Sequence, residues 1–320
     1  MSARTARRGK EGKENEMVPQ AEFTSYYGLP VLKETIWGPD VPIYLFLGGL
    51  AGASSILAAG AHLSGHQELA CTAKAGAAGA ISLSMAALVH DLGRPARFLN
   101  MLRVFKVTSP MSVGTWLLSG YTPLALGAAA SAVTRKLPRI GLAATIGAGG
   151  LGPAVAAYTS VLLGATAAPA WHDARRELPY LFAGSAATAA GGLGLLAVRP
   201  DRAAPAARLA ALGAITELTA ERQLDRRLGA VGESYRTGKA GALMRAGRLL
   251  AVGGALGALV GRRNRALSAL SGASLLVGSA VTRFGVFEAG RASARDPKFT
   301  VGPQRERLSA RGEPGDLPTA

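Results

Sequence analysis

The sequence is poor in the residues from which a protein builds a redox centre of its own. It contains one cysteine, Cys71, and four histidines in 320 residues. A single thiol cannot form a disulfide framework, and an iron–sulfur cluster needs several thiolate ligands. The sequence therefore predicts no disulfide bond and no iron–sulfur cluster held by this chain.

Charged residues are also scarce. They make up 18% of the chain, whereas soluble domains average about 25%. Between the charged clusters lie runs of roughly 20 residues with almost no charge, which is the length of a membrane-spanning helix. These runs lack the polar face, repeated every 3.6 residues, of a soluble amphipathic helix. With 42 glycines available for close helix packing, the pattern predicts an all-α polytopic membrane bundle rather than a soluble helical protein.

Eight membrane spans are predicted, at residues 41–63, 68–90, 111–134, 140–167, 178–198, 205–220, 243–260 and 267–287. The sixth is short and contains Glu217, and Arg245 and Arg248 interrupt the seventh. The first residues are rich in Arg, Lys, Glu and Gly, which is typical of disorder. The predicted organisation is a disordered N-terminal tail over 1–25, a membrane bundle over 26–288 and a cytoplasmic tail over 289–320.

The basic residues indicate both the environment and the orientation of the chain. The net charge is +16, but Lys and Arg cap the apolar runs, which favours contact with membrane lipid over nucleic acid. Most of them fall in segments that share a side with the two termini. The positive-inside rule then places both termini on the cytoplasmic side of the cell membrane.

The histidines are poorly placed for a haem or a metal ion. His62 and His66 are four residues apart but stand at the outer end of the first span, where solvated interfacial residues are expected. His90 and His172 fall on the inner side, each at a loop edge rather than inside a span. Because two histidines can ligate one haem only from facing helices at one depth, we predict neither haem nor metal.

Polar residues at membrane depth or at its edge are functional candidates. Glu217, in GAITELTAER, is either a proton relay or a water-facing residue at a span end. Tyr158 lies in the inner half of the fourth span, where its hydroxyl can donate to a quinone carbonyl or to a neighbouring helix. In the next loop, Trp171 suits the interface belt, and Trp171 and His172 are candidate quinone-binding residues. His172 with Asp173 can pass protons or form an ordinary capped turn.

The approach to the first span adds charged residues on the same side. Glu34 and Asp40 stand immediately before the apolar run. The alternation of helix direction brings residues near Asp40, Tyr158 and His172 to one membrane face. At that face we expect the entry point for a lipophilic substrate that exchanges protons when it is reduced or oxidised.

A second charged stretch on this side is VHDLGRPARFLN, at residues 89–100, which separates two apolar runs. Gly93 and Pro95 end the second span, and the segment over 94–106 alternates apolar with basic residues. This alternation predicts a short helix lying in the membrane interface. The helix either anchors lipid phosphates or docks a protein partner, and the docking residues would be Asp91, Arg94, Arg97 and Arg103.

Four stretches carry a resemblance to a known family: WGPDVPIYLFLGGLAGAS at 37–54, DLGRPARFLNMLRVFKVTSPMSVGTW at 91–116, YTSVLLGATAAPAWHDARRELPYLFAGSA at 158–186 and RFGVFEAGRASARDPKFTVGPQRER at 283–307. Through them the chain resembles the NrfD/PsrC family, the membrane subunits of polysulfide reductase-like complexes, over nearly all of residues 26–307. The last stretch is similar to NrfD-like subunits encoded beside formate dehydrogenase-type proteins.

The resemblance implies an eight-span bundle that binds a quinone, such as menaquinone, and no haem or iron–sulfur cluster. It also implies a four-cluster ferredoxin-like iron–sulfur partner, which in turn contacts a molybdopterin oxidoreductase subunit. Tyr158 matches the family's quinone-contacting tyrosine, and Glu34 and Asp40 match polar residues that line the pocket. In the best-known family members the partner subunits dock on the outer side of the membrane, whereas the charge distribution here favours the cytoplasmic side. Both sides therefore remain open for partner docking.

Three functions remain open. In the first, the chain passes electrons between a partner's iron–sulfur cluster and membrane quinone, while Tyr158 and nearby acids hold the head group and relay protons. In the second, the chain is a non-redox membrane anchor for the complex. In the third, it is a proton or solute transporter with Glu217 and Arg245 as the relay. Inverted repeats would be expected of a transporter, and the two halves show no convincing similarity.

Overall fold

The computed structural model describes residues 31–33, 35, 37–261 and 264–311, and all regular structure in these ranges is helical. Two 3-10 turns join the helices at Ala174–Arg176 and Pro200–Arg202. The α-helices are α1 (Asp40–Leu63), α2 (Gln67–Asp91), α3 (Ala96–Met101), α4 (Pro110–Thr134), α5 (Pro138–Gly164), α6 (Pro169–Asp173), α7 (Leu178–Ala197), α8 (Ala204–Arg227), α9 (Glu233–Arg236), α10 (Gly238–Val260), α11 (Arg265–Arg295) and α12 (Lys298–Ala310). The all-α prediction is confirmed.

Seven of these helices are long and apolar enough to cross a membrane: α1, α2, α4, α5, α7, α10 and α11. They coincide with the first five, the seventh and the eighth predicted spans, so the multi-pass membrane prediction is confirmed. The last of them continues to Arg295, past residue 287 where the sequence placed its end. The tail over 1–25 and the candidate pocket residue Glu34 lie outside the described residues.

The sixth predicted span corresponds to α8, which is longer and more charged than expected. It runs over 24 residues and is absent from the helices that meet the apolar requirement. Its acidic side chains point inward, since Glu217 and Glu221 are buried, whereas Leu212 and Ile215 are more than 60% exposed. The helix therefore exposes two large aliphatic side chains, Leu212 and Ile215, and keeps Glu217 and Glu221 inside the bundle.

The bundle has two ends, because successive long helices run in opposite directions. The start of α1, the α2–α4, α5–α7 and α8–α10 connections and the last turn of α11 form what we call the Asp40 end. The α1–α2, α4–α5, α7–α8 and α10–α11 connections form the opposite end. Ion pairs join elements within each end: Asp40 with His90 at the first, and Glu68 with Arg202 at the second.

Close backbone contacts hold the bundle together, with α1 and α7 at its centre. A Cβ atom added to Gly52 of α1 would lie 2.5 Å from the carbonyl oxygen of Gly152 on α5. A Cβ added to Gly192 of α7 would lie 2.7 Å from the carbonyl oxygen of Gly272 on α11. Both contacts are closer than a side chain permits, so these helices pack at a distance that only glycine allows.

Gly52→Ala is expected to destabilise the protein, because the new methyl group forces α1 away from α5. The expected loss is about 1–3 kcal/mol in the free energy of unfolding, as for other overpacked cores. Gly60→Ala, on the same helix with open space around it, is the control and gains helix propensity. Thermal unfolding of the purified chain in detergent measures both, and equal melting temperatures for the two variants would contradict the packing argument.

Candidate functional site

A small cavity lies at the Asp40 end of the bundle, between α1, α2, α4 and α5. Its aromatic and polar walls are Trp37, Tyr44, Asp91, Thr115 and Tyr158. The open volume is about 70 Å³, which is room for a few water molecules. Sequence reasoning found Tyr158 but missed Tyr44 and Thr115, which carry no local signal and become neighbours only when the helices pack.

Tyr158 is positioned by a glycine on the facing helix. It precedes the end of α5 by six residues, about 9 Å along the helix. Its ring occupies the place that a side chain at Gly114 of α4 would fill. Among the described residues its hydroxyl makes no hydrogen bond, although a partly buried tyrosine hydroxyl ordinarily finds a partner. A donor is therefore presented to the cavity without a protein acceptor.

An ion pair stands beside this cavity. His90 Nδ1 lies 2.9 Å from Asp40 Oδ2, and the histidine side chain is 80% exposed. The pair is ionic only when the imidazole is protonated, and its exposure makes it weak. Because Asp91 follows His90 and lines the cavity, the site has carboxylates both at its wall and at its edge, within reach of water.

The α2–α4 connection, residues 92–109, covers this end of the bundle, and we call it the shelf. The predicted interfacial helix over 94–106 is shorter than expected, since α3 covers only Ala96–Met101. The later part is instead tied to α4. The Val104 carbonyl accepts from Ser112 Oγ at 3.0 Å and from Trp116 Nε1 at 3.3 Å.

A groove of about 230 Å³ runs between the shelf and α4. It shares Met101, Met111 and Thr115 with the Tyr158 cavity, so the two methionines form part of the wall between groove and cavity. Methionine side chains are flexible and adapt to irregular ligands. Rotation of these side chains would join the two spaces.

The predicted docking residues divide between shelf and cavity. Arg94, Arg97 and Arg103 are exposed on the shelf, and Arg97 Nη1 donates to the Leu92 carbonyl at 3.2 Å. Asp91 was assigned to docking, but it lines the cavity with Tyr158. The difference arises because α2 continues through Asp91, so this side chain belongs to the helix rather than to the loop.

Trp171 does not face lipid, as a residue of the interface belt would. It is fully buried, and its Nε1 donates to the Val286 carbonyl at 2.7 Å. It stacks between Trp37 and Phe287, with ring centroids 5.7 and 5.8 Å away. The α5–α7 connection folds into the bundle, so Trp171 supports the cavity from behind Trp37 and does not line it.

His172 and Asp173 do not line the cavity either. His172 is exposed, with Nδ1 3.2 Å from the Gly164 carbonyl oxygen. The Asp173 carbonyl accepts a hydrogen bond from Arg227, whose guanidinium also binds buried Glu177 through Nε at 2.5 Å and Nη2 at 2.6 Å. Sequence reasoning missed Glu177, which joins the α5–α7 connection to the end of α8.

The loops at this end are further fixed by Tyr235, on the short helix α9. Its hydroxyl donates to the Ala170 carbonyl at 3.0 Å. Burial raises the pKa of this hydroxyl, so the group keeps its proton and remains a donor. The α8–α10 connection is thereby held against α6, which carries Trp171.

Glu217 lies apart from the cavity, between α8 and α11. Its Oε1 accepts from Thr282 Oγ1 at 3.0 Å, while Oε2 has no hydrogen-bond partner among the described residues. Fully buried Arg283 interacts with it electrostatically. Arg283 donates from Nη2 to the Phe182 carbonyl at 2.8 Å and lies over the Phe182 ring, 3.8 Å from its centroid. Its Nε and Nη1 make no hydrogen bond in the part of the chain that the structure describes. The predicted partner Arg245 instead donates to the Arg236 carbonyl.

Glu217→Gln is expected to destabilise the protein, because Arg283 loses the neighbouring negative charge in the bundle interior. The expected loss is about 1–3 kcal/mol in the free energy of unfolding, the cost of leaving a buried polar group less well partnered. Glu288→Gln, whose partner Lys239 is exposed, is the control and should cost about 1 kcal/mol or less. Thermal unfolding measures the stability of both variants. If the stability loss of the Glu217→Gln/Arg283→Gln double variant equals the sum of the two single losses, the two charges are independent.

Comparison with known proteins agrees with the resemblance seen in the sequence. The family model described as polysulphide reductase, NrfD matches residues 31–221, which include every wall residue of the Tyr158 cavity. None of the curated proteins matches the chain. The family match ends before α10, so the stretch over 283–307 lies outside it. The chain belongs to the polysulphide reductase NrfD family, and it is a multi-pass membrane subunit of an oxidoreductase complex.

Proposed function

We propose that this chain is the quinone-reactive subunit of its complex, and that it passes electrons between a partner's iron–sulfur cluster and the membrane quinone pool. The observation that carries the proposal is the Tyr158 hydroxyl. It is a hydrogen-bond donor without an acceptor among the described residues, and it faces a cavity that also contains Asp91. Menaquinone or a similar quinone offers the matching acceptor, a ring carbonyl.

Reduction of a quinone to a quinol consumes two electrons and two protons, and the cavity supplies groups for the protons. Tyr158 donates a hydrogen bond to the ring carbonyl and orients the head group. Asp91 at the wall and the Asp40–His90 pair at the edge exchange protons with water. Oxidation of a quinol uses the same groups in reverse.

The groove under the shelf provides a path for the substrate. The cavity alone is too small for a quinone ring, but the groove adds about 230 Å³ on the other side of Met101 and Met111. A head group that displaces these side chains occupies both spaces, and the isoprenoid tail leaves along α4 into lipid. Trp37, stacked on Trp171, forms the rigid wall opposite.

Electrons must come from, or go to, another subunit, because a chain with one cysteine cannot ligate a cluster. The proposed partner is a four-cluster ferredoxin-like subunit joined to a molybdopterin oxidoreductase, of the formate dehydrogenase type. Leu92 and Met101 of the shelf line the cavity, and the shelf exposes Arg94, Arg97 and Arg103, so it is the proposed docking surface. The start of α1 and the end of α11 lie on this side, which we place in the cytoplasm.

We also propose that Glu217 takes part in a proton relay. Its Oε2 and the Nε and Nη1 of Arg283 have no hydrogen-bond partner among the described residues, and water can satisfy them. Such water would make this pair a proton relay in the middle of the bundle. It is apart from the quinone cavity, so proton relay and quinone binding are affected by different substitutions.

Tyr158→Phe is expected to lower quinone turnover of the purified complex by about tenfold or more, because the variant lacks one hydrogen bond to the substrate. Tyr180→Phe, at an exposed tyrosine on α7, is the matched control and should leave turnover unchanged. Gly114→Ala should lower quinone turnover as Tyr158→Phe does, since the added methyl group displaces the Tyr158 ring. Unchanged turnover in both Tyr158→Phe and Gly114→Ala would favour the membrane-anchor function instead.

Charge reversal on the shelf is expected to release the partner without unfolding the bundle. Arg94→Glu/Arg97→Glu replaces two exposed cations and should weaken partner retention by about tenfold or more through like-charge repulsion. Lys136→Glu/Arg199→Glu makes the same charge change at the opposite end and is the control. Co-purification measures retention and thermal unfolding tests integrity; a complex that survives the shelf variant would refute docking at this surface.

A further inference from the structure

A larger cavity opens at the opposite end of the bundle, away from Tyr158. It lies between the α1–α2 and α4–α5 hairpins and has a volume of about 520 Å³, in the range of small-molecule sites of about 300–1,000 Å³. Its cationic residues are Lys74, Arg135 and Arg139, His62 also lines it, and no described carboxylate does. The quinone proposal makes no use of this cavity.

Lys74 is a cation inside a membrane helix. It follows the start of α2 by seven residues, about 10 Å along the helix, and is only 6% exposed. Its Nζ lies 3.2 Å from His62 Nδ1. An ammonium group only donates hydrogen bonds, so the imidazole nitrogen accepts and the ring is uncharged in this contact.

The described residues provide no counter-charge for this cation. Glu68, the nearest acid along α2, is already paired with Arg202 at 2.7 Å. Arg135 and Arg139 likewise have no carboxylate within ion-pair distance in the part of the chain that the structure describes. A buried charge is costly unless it is paired, so an external anion would lower the free energy of this end of the bundle.

The α4–α5 connection holds one arginine at the cavity in an unusual conformation. Arg135 and Leu137 adopt left-handed backbone angles, with φ of 58° and 51°, which non-glycine residues rarely do. Ser131 Oγ fixes the turn by donating to the Lys136 carbonyl at 2.9 Å. The turn also places Arg139 in the first turn of α5, where the helix dipole adds positive potential.

We propose that this cavity binds the phosphate group of an anionic phospholipid. Lys74 and the two arginines provide the charge, and basic pockets between membrane helices suit phospholipid head groups. Pro138 and Leu142 form an apolar wall of the same cavity, and Ile140 beside them is 63% exposed. This apolar surface of α5 accommodates an acyl chain, which distinguishes a lipid from inorganic phosphate as the source of the anion.

The single cysteine supplies the test, because Cys71 is exposed and lines this cavity. The full chain in detergent is alkylated with a maleimide, alone or with short-chain phosphatidylglycerol, phosphatidylcholine of equal chain length or inorganic phosphate. Phosphatidylglycerol is expected to slow alkylation more than phosphatidylcholine does. Lys74→Gln should weaken this protection by about tenfold, because one charged hydrogen-bond donor is lost. The control is Arg199→Gln, at the same end but outside the cavity.

Each outcome bears on the proposal. Protection by phosphatidylglycerol that Lys74→Gln weakens and Arg199→Gln leaves intact supports it. If inorganic phosphate slows the alkylation of Cys71 and phosphatidylglycerol does not, the anion does not come from a phospholipid. Absence of protection, or equal loss in the two variants, would overturn the site itself. Arg135→Gln/Arg139→Gln provides the same comparison if the Lys74 variant does not fold, and none of these readouts depends on quinone activity.

Discussion

Close contact between helix backbones is the constraint on which this structure depends. Lipid is as apolar as the helix surfaces, so burial of apolar area gives membrane helices little reason to associate. Association relies instead on packing, and glycines on α1, α5, α7 and α11 allow the backbones to touch. The same contacts fix the depth of each helix, and therefore the level at which each polar side chain faces its neighbours.

The aromatic stack links the two polar regions of the bundle interior. Trp37 forms a wall of the cavity, and it stacks on Trp171, which stacks on Phe287. Phe287 is one helical turn after Arg283 on α11. The packed rings therefore connect the cavity wall with the helix that holds the buried guanidinium.

The sequence is informative about the fold because membrane spans depend on local composition. Seven of the eight predicted spans coincide with helices apolar enough to cross a membrane, and the sixth corresponds to the more charged α8. It is less informative about the site. Tyr158 could be named from its own stretch, but Tyr44 and Glu177 acquire significance only from tertiary neighbours. Trp171 was misplaced because its burial depends on Trp37 and Phe287, which become its neighbours only when the helices pack. Arg283 was missed because it lies inside the eighth predicted span, without a local partner.

The inward-facing charges of α8 also bear on how the protein is made. A carboxylate at the centre of a lone helix costs about 2.5–3.5 kcal/mol on insertion into the bilayer, and α8 buries both Glu217 and Glu221. The cations that face them, Arg283 on α11 and Arg248 on α10, leave the ribosome later. We expect the middle of the chain to complete its membrane insertion only when the last two long helices arrive, so biosynthesis of this subunit is most vulnerable to truncation near its C-terminus.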